Sequence, residues 1–316
     1  MFDCGEFNLS QLFKKFGKKQ TDEELVKLKC LFLTHIHSDH HSGVFGLILA
    51  RIEAFERLEL PYEKLILMVP KFYIEQSLYG IDSILKKDIF DYVKILPNEM
   101  FMIRSNYYLP KLFPKKVFLK DTKYLIDEFT VQDQVQEAEK LKKILNLNSI
   151  KTISVHHVSF SYGIIIEINR SDGQAPFKLV FSGDCRPNDC LAIEGSKCDL
   201  LIHECTFDNE RYQDAINKNH STTHEAITIS RKMEAKNTIL THLSARYGIL
   251  GHIDEIKIPN IAFSFDFMYI DPKNLAEINS ISSMLATIFS RNLSKNTTKK
   301  QKVTNSNNWD KKKITL

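Results

Sequence analysis

Residues 31–43 read Leu-Phe-Leu-Thr-His-Ile-His-Ser-Asp-His-His-Ser-Gly, so an apolar run ends in a turn where His35, His37, Asp39 and His40 crowd into six positions. Imidazole nitrogens and a carboxylate are the ligands that Zn²⁺ prefers. One surface histidine says little. Four such groups in His-x-His-x-Asp-His order at the end of a buried strand would be costly to bury without a cation.

One loop offers too few donors for two ions, so the remainder must come from other strand ends. Candidates follow strand-like runs: His157, with His156 beside it, after residues 152–155; Asp184 in Phe-Ser-Gly-Asp-Cys-Arg-Pro after 178–182; and His242 after 238–241. Together with the first loop they complete two sites with a carboxylate to bridge them.

The elements that must position these groups alternate. Runs rich in β-branched and aromatic residues at 29–34, 64–69, 152–155, 163–168, 178–182, 199–202, 238–241 and 261–270 predict strands. Thr21 and Glu24 form a Thr-x-x-Glu capping box ahead of a short helix, and residues 43–58 continue as a periodic apolar helix directly after the histidine loop. Alternating strand, loop and helix predicts α/β layers.

The chain has 316 residues, 43% hydrophobic and 26% charged, enough for a sizeable core. We expect one catalytic domain over residues 1–290 and a basic tail over 291–316, too poor in apolar residues to fold. The tail holds eight Lys/Arg against one Asp, a local +7 that leaves −3 of the formal +4 for the rest of the chain. Attraction to nucleic acid must therefore come from local patches or the tail. In residues 104–124, Arg104, Lys111, Lys115, Lys116, Lys120 and Lys123 alternate with Tyr107, Tyr108, Phe113, Phe118 and Tyr124. That mixture suits an RNA backbone and its bases, although charge runs are common on plain surfaces. The longest apolar stretches are too short to cross a bilayer, and the start is no signal peptide, so no membrane partner is expected. Six dispersed cysteines without a Cys-x-x-Cys pair suit a reducing, intracellular compartment: nucleus, cytoplasm or mitochondrion.

The donor set resembles the metallo-β-lactamase superfamily, an α/β class with an αββα sandwich that places these loops at one edge. The resemblance implies two Zn²⁺ ions per chain, with Mn²⁺ as an alternative. One ion takes His35, His37 and His157, the other Asp39, His40 and His242, and Asp184 bridges them. His157 is preferred to His156 because the family places this ligand six residues before a glycine, here Gly163.

Further motifs are similar to the tRNase Z family, particularly the C-terminal half of its long eukaryotic form. These are Leu-Ile-His-Glu-Cys-Thr-Phe over 201–207, His-Ser-Thr over 220–222, Gly-Asp-Cys-Arg-Pro over 183–187 and Leu-Thr-His-Leu-Ser-Ala-Arg-Tyr over 240–247. The resemblance covers about residues 2–270. It implies removal of the 3′ trailer from precursor tRNA by a hydroxide held between two metal ions, leaving a tRNA 3′-hydroxyl. Asp39, Glu204 and His220 carry catalysis in that account: a histidine held by a carboxylate can protonate the leaving O3′. Ser221, Thr222, Arg186 and Arg246 are its substrate-binding candidates, the first two through hydroxyls or amides at a helix start. Asp3, in Phe-Asp-Cys-Gly-Glu, is placed to orient a ligand imidazole, and His203 is either a supporting group or a core histidine.

The family normally opens with a Gly-rich strand pair and a Pro-x-Lys-x-Arg-Asn loop, and its long form carries a protruding tRNA-binding arm in its N-terminal half. This sequence starts at Met1-Phe2-Asp3 without them. The expectation is a sandwich lacking its first strands, a weak grip on the tRNA elbow, and a missing N-terminal half or homodimer as partner. The rivals are another hydrolase of the superfamily, such as a thioesterase or general phosphodiesterase, and an inactive RNA-binding module. The His-Glu-x-Thr and His-Ser-Thr segments oppose the first, and the complete donor set opposes the second. The 58 residues between Asp184 and His242 exclude the large inserted domain of the pre-mRNA cleavage branch.

Overall fold

The computed structural model describes residues 1–74, 77, 91–103, 131–244, 258–281, 283, 284 and 287. The basic-aromatic segment 104–124, Arg246 and the tail lie outside them.

Two sheets face each other. The first is parallel, in the order β1 (Cys30–Phe32), β2 (Leu65–Val69), β3 (Val93–Pro97). The second has the order β4 (Leu147–Ser154), β5 (Tyr162–Ile168), β6 (Phe177–Phe181), β7 (Leu200–Glu204), β8 (Thr238–Thr241), β9 (Ile261–Phe263). Because β5 runs antiparallel to both neighbours and the later pairs are parallel, β4, β6, β7, β8 and β9 all point one way. Their C-terminal ends therefore share one edge.

Alternation along the strands builds the layers. Phe32, Ile66, Met68 and Leu96 meet Tyr162, Ile164 and Phe181 between the sheets. On the outer face of the first sheet, Leu31, Leu33, Leu65 and Leu67 pack under helices α1 (Asn8–Lys27) and α2 (Val44–Arg57). Helix α3 (Val131–Leu145) sends Leu141 into the inter-sheet core. On the outer face of the second sheet, Ile153, Ile165, Val180 and Leu201 pack under α4 (Asp189–Glu194) and α5 (Thr223–Met233). The layers run helix, sheet, sheet, helix, as the resemblance implied. Among the described residues, no helix is long and apolar enough to cross a membrane.

Two local expectations are corrected. Thr21 caps no helix: its hydroxyl donates to the Gly17 carbonyl at 2.7 Å, inside a helix that bends at Gly17 (φ 73°) rather than starting at residue 21. The strand expected over 261–270 ends at Phe263, and β3 and the first half of β4 were not foreseen.

Candidate metal centre

The common edge gathers the donors. β1 leads to Thr34 and His35, both fully buried, and a single helical turn (Ser38–His41) then folds His40 back over them. The turn is seated by main-chain bonds: Cys4 N–H donates to His40 O at 2.7 Å, and Gly43 N–H donates to Cys4 O at 2.9 Å. β4 leads to His157, β6 to Asp184 and β8 to His242. Gly183 adopts φ 59°, and a Cβ there would stand 2.9–3.0 Å from Tyr162 O and the Thr34 side chain, so only glycine lets Asp184 pass this close to β1. His242 itself holds a left-handed φ of 60°, a backbone state rare outside constrained sites.

The side chains converge on the Asp184 carboxylate. Its Oδ2 lies 3.2 Å from His40 Nε2, 3.3 Å from His242 Nε2, 3.8 Å from His35 Nε2 and 3.9 Å from His157 Nε2. His37 Nδ1 faces His35 Nε2 at 3.0 Å and His157 Nε2 at 3.1 Å, while Asp39 Oδ2 is 3.6 Å from both His40 Nε2 and His242 Nε2. Three overlapping groups result among the described residues: His35, His37, His157 and Asp184; Asp39, His40 and His242; and Asp184, His220 and His242, with the donor atoms of each group within 4.8 Å of one another.

The hydrogen-bond partners decide where the ring protons sit. His157 Nδ1 is 2.9 Å from the Asn219 carbonyl and His40 Nδ1 is 2.8 Å from Asp3 Oδ2, acceptors that require N–H at Nδ1. His35 Nδ1 meets the Thr34 hydroxyl at 2.9 Å, and that hydroxyl donates to Asp3 Oδ2 at 2.9 Å, so it too accepts from the ring. His242 Nδ1 is held at 2.7 Å by the Thr206 hydroxyl, which donates to Glu204 Oε2 at 2.7 Å. Four rings thus turn Nε2 toward one another and toward a buried carboxylate, a place that takes positive charge, whether as a proton on His40 or as a cation. Ligands about 2.0–2.1 Å from a tetrahedral ion stand roughly 3.3–3.4 Å apart, and the observed separations of the donor atoms bracket that spacing. The donor set fits a metal centre.

The electrostatics agree. Burial opposes a charge on His40, yet its bonds to Asp184 and Asp3 raise its pKa to about 10. Burial and the neighbouring His40 push His35 down to about 2. Burial works against the Asp184 anion, but the bond to His40 and the surrounding imidazoles hold it well below the carboxylate range. The pocket draws positive charge wherever it can.

Beside this centre, His220 Nδ1 stands 2.8 Å from Glu204 Oε1, and Glu204 is 1% exposed. The carboxylate also accepts from Cys185 N–H at 2.8 Å and Thr206 N–H at 3.0 Å. The His220 ring stacks on His242 at 5.5 Å.

The computed structure superimposes on a metallo-β-lactamase-fold protein, YhfI from Bacillus subtilis, with a TM-score of 0.52 at 18% identity, covering 85% of this chain and 86% of that one. On the long-form RNase Z of yeast it superimposes with a TM-score of 0.68 at 26% identity, covering 91% of this chain and 38% of that chain. The fold is metallo-β-lactamase, and the chain resembles long-form ribonuclease Z. In sequence it is 29% identical over 314 residues to the zinc phosphodiesterase ELAC protein 2 homolog of Caenorhabditis elegans, covering 95% of this chain and 35% of that protein. The chain spans about a third of the length of the curated relatives it matches. No family model matches it.

With the ribonuclease Z resemblance in hand, the remaining candidates can be placed. Asp3 lies under the centre, taking Thr34 N–H at 2.7 Å besides His40. His156 is exposed and lines a separate cleft with Met102 and Asn188. The Ser221 hydroxyl donates to Cys185 O at 2.6 Å, and Thr222 caps α5 in a reciprocal box with Glu225; both residues are buried. Arg186 grips Glu225 with both guanidinium arms and donates to the His220 carbonyl at 2.6 Å. These three side chains are engaged within the protein. His203 is buried with Nδ1 on Glu204 O at 2.7 Å and no partner at Nε2. The sequence motif held Thr206 without giving it a role, and Asn219 was not singled out; the ring contacts of both exist only after folding.

Proposed function

We propose that this chain is the catalytic portion of a zinc-dependent endoribonuclease that cuts the 3′ trailer from precursor tRNA and leaves a tRNA 3′-hydroxyl. The observation that carries the metal chemistry is the set of Nε2 atoms turned inward by acceptors on their Nδ1 atoms. His35, His37 and His157 would hold one ion, Asp39, His40 and His242 a second, and Asp184 both; Zn²⁺ suits this imidazole-rich set best, with Mn²⁺ as the alternative. When bound, the ions supply Lewis acidity at the phosphoryl group and a water made acidic near neutral pH.

The protein's own groups complete the reaction. Glu204 fixes Nδ1–H of His220, which leaves Nε2 to carry a proton to the departing O3′. Its two backbone donors and Thr206 hold that carboxylate still. Arg186 and the buried Ser221 brace the loop from which His220 projects. The partner is precursor tRNA, met in an intracellular compartment. Metal analysis with cleavage of a 3′-extended precursor tests this. Two zinc ions and a cut after the discriminator base, lost in Asp39→Ala and slowed in His220→Ala, are expected; metal without cleavage would overturn the substrate assignment.

A further inference from the structure

The first half of α1 is unusually basic. From Asn8 to Gln20 the chain carries Lys14, Lys15, Lys18 and Lys19 and no acid. All four are exposed around the bend at Gly17, and among the described residues none forms an ion pair. Lys15 reaches sideways: its Nζ donates to Phe267 O at 3.3 Å and stands 5.9 Å from the centre of the Phe267 ring. That contact joins α1 to the loop after β9, where Phe267 is 41% and Tyr269 74% exposed. Phe7, just before α1, is 69% exposed. Single exposed apolar residues are ordinary, but exposed aromatics on the two segments that Lys15 joins, with lysines that form no ion pair among the described residues, are what single-stranded RNA binds, bases on the rings and phosphates on the cations.

The position matters as much as the composition. Gly5, two residues before Phe7, abuts the Asp39 main chain so closely that a Cβ there would meet Asp39 O at 2.0 Å. Ser264, which opens the aromatic loop, donates to Leu240 O at 2.8 Å, two residues before His242. The surface therefore starts at the Asp39–His242 side of the metal centre and leads away from it along α1. Residues 6–20 and 264–269 together carry four lysines against Glu6 and Asp266, which leaves the pair of segments net positive.

We propose that this surface binds the unpaired strand of the RNA substrate, the trailer, as it leaves the metal centre. A duplex arm would meet the lysines but offers no free base faces to Phe7 and Tyr269, so the aromatic component selects the unpaired strand. The inference rests on the ribonuclease reading above.

The test compares the zinc-loaded full chain with a variant carrying Lys→Gln at 14, 15, 18 and 19, and with Tyr269→Ala, each checked for wild-type metal content and melting temperature. Fluorescence anisotropy gives Kd across a salt series for two RNAs. One is a precursor tRNA with a trailer of about 12 nucleotides and a non-hydrolysable junction, the other the same tRNA ending at the junction; the lengths follow the ~4–16-nucleotide footprints of single-strand sites. The lysine variant should lose at least about tenfold on the trailer-bearing RNA, with a salt slope flatter by up to about 3, from ~0.7 per phosphate contact. Tyr269→Ala should lose about tenfold with the slope unchanged. Neither should change binding of the RNA without a trailer. Variants that bind the trailer as the wild type does overturn the proposal, and so does an equal loss on both RNAs. A wild type that binds the trailer through these residues yet cuts no precursor overturns the ribonuclease reading and leaves the surface standing.

Discussion

The Thr206 hydroxyl links Glu204 to His242, lying 2.7 Å from Oε2 of the first and 2.7 Å from Nδ1 of the second. The carboxylate accepts the hydroxyl hydrogen bond, and the hydroxyl oxygen accepts that of the ring, so one side chain sets the tautomer of a proposed metal ligand, His242, and steadies the partner of His220. Thr206→Val keeps the volume and removes the link. Metal affinity is expected to fall about 10–100-fold, the usual effect of losing such a support, read by competition with a chelator. Thr206→Ser should stay close to wild type, and equal affinities for the Val variant and wild type would refute the role.

Arg186 acts on His220 through the main chain, at 2.6 Å from its carbonyl, while Glu225 holds the guanidinium. Arg186→Met should lower kcat about tenfold or more with KM and metal content little changed, because His220, the proposed proton donor, loses its seat while substrate contacts remain. A raised KM at constant kcat would instead return Arg186 to substrate binding, the role its place in the sequence motif suggested.

Gly43 carries the close approach between the histidine turn and the N-terminal segment. A Cβ at Gly43 would stand 2.1 Å from Gly5 O, and this is backbone against backbone. Gly43→Ala should cost at least about 2–3 kcal/mol, in the range of overpacking a rigid site, and lower metal content. Gly46 has open space around it in the first turn of α2, so Gly46→Ala should stabilise the helix, by at most about 0.5–1 kcal/mol. Denaturant unfolding of the two variants checks both signs.

Asp22 anchors the second half of α1 to α2. Arg57 meets its carboxylate with two bonds of 2.7 and 2.8 Å, and these hold the pKa below its ordinary 3.8. A depressed folded-state pKa contributes stability above the unfolded value, and that contribution is lost as pH falls through the folded value. Asp22→Asn should therefore melt lower than wild type at neutral pH, with the two curves converging in acid below 3.8. A gap that persists undiminished in acid would mean that packing, not charge, is at stake.

Strand positions came through the sequence well where both faces are buried. β2, Leu-Ile-Leu-Met-Val, is buried along its whole length and can be read from composition alone. β3 was missed because the chain around it carries no alternation to mark a register. Thr21 misled because a capping pattern is local, whereas the bend at Gly17 depends on α1 packing across α2.

His35, His37, Asp39 and His40 were determined by the sequence itself, because six consecutive positions at a strand end must share one volume of space. His157, Asp184 and His242 could be nominated from strand ends, but only the shared edge of two sheets decided that they meet, since 122 residues separate His35 from His157 and 85 separate His157 from His242. Which atoms face inward was a tertiary matter entirely. Asp3, Thr34, Asn219 and Thr206 reach the rings from four different places in the chain, and their acceptors set each proton. The basic surface on α1 stood in the sequence as Lys-Lys-Phe-Gly-Lys-Lys over residues 14–19. Its place beside Phe267 came from the fold, because a charge run acquires a direction only when tertiary packing sets what lies at its end.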